Sequence, residues 1–258
     1  MAIEIHPTSI IGKNAELGDN VKIGPFSVVE SGAKIGDGTT IGSSVWIAGY
    51  ARIGKGNKIF HGAAVGGPPQ DLKFSGEDTI IEIGDGNIIR EFACFHRGTK
   101  ASGKTIIGSD NLFMAYVHVA HDCVLGDHII LANSTNMGGH VEIQDYAIVG
   151  GLVPIHQFTR IGAHAMVGTG ARIVQDVLPF ALIGADPTRV VGVNSIGLRR
   201  RGFQESTVRV IKNTFKIIYR SELNLTQAVE RIEREFPSIH EVKMILEFIA
   251  RSKRGVCR

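Results

Sequence analysis

The sequence predicts a mainly β protein, a parallel β-helix of stacked hexapeptides followed by a small C-terminal α-helical domain. Three observations carry that expectation. Every sixth residue from Ile5 to Ile173 is large and apolar, with only Asp71, Glu77 and Ala101 breaking the series. The residue after each is usually glycine or another small one, which accounts for a high glycine content, 32 in 258 residues. Beyond about residue 204 the apolar period changes to that of a helix.

A period of six matches neither the 3.6 of a helix nor two-residue alternation, so the unit is a short strand plus a turn. One unit cannot bury its apolar face alone. Stacked as triangular coils of 18 residues, the units share one continuous core. With strands about 4.8 Å apart, roughly nine coils give a prism about 45 Å long. The frame aliphatics point inward, and the small residue after each is expected to let the chain turn a tight corner.

Taken in order, residues 5–66 are an uninterrupted run of hexapeptides and read as scaffold, with His6 and His61 in it lacking partners. At 67–82, GPPQDLKFSGEDTIIE, the frame breaks, and Pro68-Pro69 stops any strand. Because the frame resumes in phase, this is a loop thrown out of a continuing coil, and Asp71 and Lys73 are its candidates for polar ligand contacts. A second excursion at 96–106, HRGTKASGKTI, is rich in Gly, Lys and Thr and could cradle phosphate, though without the spacing of a phosphate-binding loop. These coils and loops make a domain of residues 1–190, and 191–258 make the helical one. Asp186-Pro187 and Gly192 mark the connector. Val208, Ile211, Phe215 and Ile218 then line one helical face, Arg209, Lys212, Lys216 and Arg220 another, and Ser238 with Glu241 forms a capping box before Val242, Ile245 and Ile249.

Composition bounds the function. An apolar content of 43% supports a sizeable core, and a net charge of only +3 argues against a nucleic-acid partner. Cys94, Cys123 and Cys257 are widely spaced and odd in number, as in a reducing cytosol. Neither a signal peptide nor an unbroken apolar run long enough to span a membrane is present. A cytoplasmic protein is expected.

The chemistry collects in VHVAHDCVLGDHIILANSTNMGGH, residues 117–140. With 18 residues to a coil, His121 stacks under Gly139 and Gly139 under Gln157, while Asp122 stacks under His140 and Phe158, with His156 beside Gln157. A lone histidine in such a core is more often structural; a cluster with a carboxylate is different. His121 is placed as a general base near neutral pH, with Asp122 to orient it. Gly139, lacking a side chain, leaves its N–H open to an oxyanion. Those parts suit acyl transfer to a hydroxyl without a covalent intermediate. The rival is a metal site, because His118 and His121 are three residues apart.

Several segments resemble one family: QDLKF (70–74), FHRGT (95–99), SDNLFMAYVHVAHDC (109–123), LANSTNMGGHV (131–141), HQFTRIGAHAMVG (156–168) and LRRRGF (198–203). They are similar to the UDP-N-acetylglucosamine O-acyltransferases that begin lipid A biosynthesis, over almost the whole chain. The resemblance implies left-handed coils, a homotrimer with sites between neighbouring prisms, and a 3-hydroxyacyl donor on acidic acyl carrier protein. The acceptor is UDP-N-acetylglucosamine or its 3-amino analogue, and no metal or cofactor is called for. It implies His121 as the base, supported by Asp122, with Gly139 as oxyanion donor. His118, His140, His156 and Gln157 line the sugar and acyl pocket. Asp71, Lys73 and nearby His96 hold sugar or phosphate, and Asn194 and Arg200 the nucleotide. Thr169 stands at the chain-length position, where glycine admits a longer chain. Ile196 stands where the family often has glutamate, removing a carboxylate from the nucleotide pocket. The alternative on the same scaffold is a zinc-dependent hydratase of the γ-class carbonic anhydrase type.

Overall fold

A computed structural model describes residues 3–258, so the first two residues of the expected domain 1–190 lie outside the described residues. The hexapeptides wind as a left-handed parallel β-helix. Its first sheet begins at Glu4–Ile5, its second at Ile10–Ile11 and its third at Glu16–Leu17, with 11, 8 and 8 strands. Partners lie one coil apart on every face: Ile130 with Ile148, Asn136 with Pro154, Glu142 with Arg160. The frame aliphatics fill one core, from Ile23 and Val29 to Val167 and Ile173. At the lower end Ile5 is 43% exposed, and among the described residues its strand pairs only with the coil above.

The corners work differently from the expectation. The small residue after each aliphatic is needed because the next coil is close: a Cβ on Gly36 would lie 2.6 Å from the Gly54 carbonyl carbon. The left-handed backbone falls two residues later, at Asn20, Phe92, Tyr146 and His164 with φ near 60° (58, 58, 62 and 58°). Side chains there project outward and stack coil on coil. On the corner between the third and first sheets they form a ladder: His128 on Tyr146 at 4.6 Å, Tyr146 on His164 at 4.9 Å, His164 on Phe180 at 5.6 Å.

Both excursions leave the corner between the second and third sheets. The strands Ala64–Gly67 and Ile80–Ile83 bound the first to 68–79, and Cys94–His96 and Lys104–Ile107 bound the second to 97–103. Ile59 pairs with Ile89 and Ile89 with Phe113, so each excursion adds whole hexapeptides and the frame survives.

The connector is not irregular. The frame ends because the last coil is two residues short: Val167 pairs with Ile183 and Ile161 with Val177. Strands Ala181–Ala185 and Thr188–Val193 then form an antiparallel hairpin that closes the first sheet. Four helices follow, α1 (Ser195–Arg200), α2 (Glu205–Arg220), α3 (Leu225–Glu235) and α4 (His240–Ala250). Val208, Ile211 and Phe215 of α2 and Ile245 and Phe248 of α4 join the prism core, while Arg209, Lys212, Lys216 and Arg220 are exposed. The expected cap at Ser238 does not form: α4 starts at His240, Ile239 holds the cap position, and no side chain bonds the first turn. The capping box is at α3, between Asn224 and Gln227. The terminal segment returns to the prism through Asp176, whose amide donates to the Gly255 carbonyl at 2.9 Å and whose carboxylate accepts from Ser252 at 2.7 Å. Among the described residues no helix is long and apolar enough to cross a membrane.

Candidate active site

The second-to-third-sheet corner carries the histidine column. His121 Nδ1 lies 2.7 Å from Asp122 Oδ2, and the His121 and His140 rings meet edge to face at 5.3 Å. His140 in turn stacks on Phe158 at 4.5 Å. Because Asp122 only accepts, Nδ1 is the His121 nitrogen that donates, which in a neutral ring leaves the lone pair on Nε2. Gly139 lies against that ring: a Cβ there would be 2.7 Å from His121 Nε2. The ladder uses the amides on both sides, Gly138 N–H to Ile155 O and His140 N–H to His121 O. Among the described residues no acceptor takes the Gly139 N–H.

Asp122 is fully enclosed, and the second excursion encloses it. Its carboxylate accepts from the Thr99 amide at 2.9 Å, the Thr99 hydroxyl at 2.7 Å and the Ser102 hydroxyl. Burial pushes the carboxyl up, but the hydrogen bonds from Ser102, His121 and Thr99 outweigh it and hold it at about 2. The polar loop read as a possible phosphate cradle therefore cradles a carboxylate of its own chain. Once the chain leaves the lattice, residue spacing no longer fixes which groups meet, so Thr99 and Ser102 were invisible in the sequence.

Gln70, His118, His121, Gly138, Gly139 and Gln157 line one cleft. Gln70, from the first excursion, was also missed. His118 bonds Asn136 at 3.1 Å through Nδ1, and its Nε2 is buried without a partner. His96 is held through Nδ1 by the Pro68 carbonyl at 2.7 Å. Burial pulls both imidazoles below the ordinary range, so both are neutral at pH 7. His156 is exposed, its Nδ1 on the Gln157 carbonyl at 3.0 Å. Asp71 folds back on its own turn, accepting from the Lys73 amide at 2.9 Å, and Lys73 is exposed.

Other expected residues lie on other corners. Thr169 follows the strand Met166–Val167 of the first sheet, so it faces the corner between the first and second sheets and is exposed. Asn194 sits at the third-to-first-sheet corner, where its amide nitrogen donates to the His164 carbonyl at 3.0 Å and its oxygen caps α1. Arg200 and Ile196 are exposed on α1. Cys123 is buried with its thiol pushed up to about 12 by burial, which removes it as a nucleophile. His6 and His61 each have local partners, Thr8 and Ser43.

A profile described as UDP-N-acetylglucosamine O-acyltransferase, domain 2, matches residues 176–257, and a six-repeat bacterial transferase hexapeptide profile matches 14–49. The acyl-[acyl-carrier-protein]--UDP-N-acetylglucosamine O-acyltransferase of Thiobacillus denitrificans is 44% identical, covering 98% of this chain and 99% of its own. The chain belongs to the UDP-N-acetylglucosamine O-acyltransferase family. The relative from Paracidovorax citrulli is 50% identical over 98% of this chain and 99% of its own. The UDP-N-acetylglucosamine acyltransferase of Bacteroides fragilis superposes with a TM-score of 0.96 at 44% identity, covering 98% of this chain and 99% of that one. The zinc hydratase alternative finds no support among these acyltransferases. Among the described residues, the side chains whose ligand atoms gather within 4.8 Å of one another are His121, Asp122 and His140, without His118.

Proposed function

We propose that this chain moves a 3-hydroxyacyl group from acyl carrier protein to the 3-hydroxyl of UDP-N-acetylglucosamine, the first step of lipid A biosynthesis. The observation that carries this reading is the His121 imidazole, fixed by Asp122 at 2.7 Å and lying against a glycine that leaves its N–H unused. His121 Nε2 takes the proton of the sugar hydroxyl as that oxygen attacks the thioester carbon. The imidazolium that forms faces the buried Asp122 carboxylate, which stays ionised throughout. The Gly139 N–H receives the charge that develops on the thioester oxygen. When the tetrahedral intermediate collapses, the thiolate of the carrier leaves and takes the proton from His121.

His118, His140, His156 and Gln157 shape the sugar and acyl pocket, and Asp71 and Lys73 of the first excursion, near His96, hold sugar or phosphate. A homotrimer completes the site, since Thr169 and Arg200 lie on corners other than that of His121. Arg200 meets the nucleotide through its exposed guanidinium, and Asn194 serves by capping the helix that presents it. The exposed basic face of α2 receives the acidic carrier. Three unpaired cysteines suit work in the cytoplasm. In this reading residues 1–190 form the catalytic prism and 191–258 the appended helical unit.

The His121→Ala variant tests the mechanism. Acyl transfer from a carrier-protein thioester should fall about 10²- to 10⁴-fold with thermal unfolding and oligomeric state unchanged; near-normal turnover would reject His121 as base. Thr169→Gly should shift donor preference toward longer chains by about 10-fold, read by mass spectrometry of products from a mixed-length pool. An unchanged product distribution removes Thr169 as the ruler.

A further inference from the structure

Arg97 is buried, 7% exposed, and among the described residues no carboxylate pairs with it. Its Nε and Nη1 are enclosed and have no hydrogen-bond partner. Its guanidinium lies instead between two rings, 3.7 Å from the Tyr50 centroid and 5.2 Å from that of Phe74. A cation desolvated without an anion is costly, and stacking on aromatic faces is the compensation that remains. Tyr50 belongs to the prism and Phe74 to the first excursion. The guanidinium therefore ties a loop to a coil.

Its neighbours in sequence do the same at the two ends of that loop. His96 donates to the Pro68 carbonyl at 2.7 Å where the excursion starts, and the Gly98 carbonyl accepts from the Thr79 hydroxyl at 2.5 Å where it ends. The Tyr50 hydroxyl adds a bond to Asp78 at 3.0 Å. The tip has little else to hold it: Leu72 is fully exposed, and the turn bonds mainly to itself through Asp71, Lys73 and Phe74. Thr99, the residue after this bracket, grips Asp122. Four consecutive residues thus fix the loop and the catalytic carboxylate to one piece of backbone.

We propose that Arg97 is a positioning residue, whose stack on Phe74 holds the first excursion in place and presents Gln70, Asp71 and Lys73 to the substrate. The inference rests on the reading above that this excursion binds the nucleotide sugar. Arg97 touches no substrate; it lowers the cost of ordering the loop, so its loss appears in substrate affinity rather than in the chemical step.

Arg97→Lys keeps the charge and loses the planar stack, and Phe74→Leu removes the ring from the loop side, where the prism cannot unfold in consequence. Each should speed amide hydrogen exchange across 68–79 and raise KM for UDP-N-acetylglucosamine about 10-fold, with kcat within about threefold of the parent. Phe74→Tyr, which keeps the ring, should restore both readouts, and the double variant should be no worse than either single one. Unchanged exchange, or a fall in kcat at constant KM, overturns the proposal. Asp71→Asn and Lys73→Met separate the two levels. If they raise KM while Arg97→Lys does not, the positioning role fails alone. If they leave KM unchanged, the excursion is not a substrate contact and the proposal falls with that reading.

Discussion

His121 and His164 stand at corners of the same prism, one place apart in the repeat: the second residue after Val119 and the third after Ile161. Their surroundings make them opposites. His164 lies between aromatic plates, Tyr146 at 4.9 Å and Phe180 at 5.6 Å, with Phe203 edge-on at 5.0 Å. Burial, with Arg201 nearby, pulls it down to about 4, so it is a neutral packing ring. His121 has a carboxylate on one nitrogen and a glycine one coil above it. The scaffold offers equivalent stations to many side chains, and the residues one coil away decide whether an imidazole packs or reacts.

Filling the space between His121 and Gly139 should have the largest effect. Gly139→Ala puts a methyl 2.7 Å from Nε2, and since Gly139 is not in the left-handed region the penalty is steric displacement of the ring rather than backbone strain. Turnover should fall by about 10²-fold or more with the melting temperature nearly unchanged, a loss of the size that removing an oxyanion donor gives. Retained turnover would show that the contact between ring and glycine is incidental.

A smaller loss should follow from loosening Asp122. Ser102→Ala removes one donor, so the carboxyl rises from about 2. The Asp122 carboxyl titration, followed by carbon NMR, should move to higher pH, and turnover at neutral pH should drop by about 10-fold or less. An unmoved titration would mean that Thr99 and His121 hold the carboxylate without help.

The smallest effect on turnover, none, is expected for His164→Phe, which keeps the plate and removes the titration. Its folded value of about 4 lies below the ordinary 6.5, so the unfolded chain binds the extra proton first. Stability from His164 is complete above about pH 6.5 and drains away as pH falls toward 4. Asp122, depressed from 3.8 to about 2, adds a second loss between those values. Denaturant melts at stepped pH should show the upper loss vanish in His164→Phe and the lower one persist. A change in turnover at neutral pH would break the contrast between the two histidines.

The lattice was legible because register is periodic: any two residues a whole coil apart had to meet, which put His121 under Gly139, and Asp122 under His140, from numbering alone. Even the excursions left the phase intact, being whole hexapeptides. What hid were contacts made off the lattice. Gln70, Arg97, Thr99 and Ser102 act from the excursions, where sequence separation carries no spatial rule, and the hairpin 181–193 follows a short coil that ended the pattern. The corner glycines were misassigned for a related reason: frequency marks where a small residue is required, but not whether the need comes from backbone angle or from a neighbour's approach.

The two ends of the prism differ, and that difference limits assembly along its axis. Among the described residues, the first coil leaves Ile3, Ile5 and Ile10 43, 43 and 65% exposed, and the strand Glu4–Ile5 pairs on one side, with Lys22–Ile23. At the upper end the antiparallel hairpin, α4 and the returning segment at Asp176 cover the last coil. Strand addition at that covered pole is blocked, and would require the helices to be peeled away first.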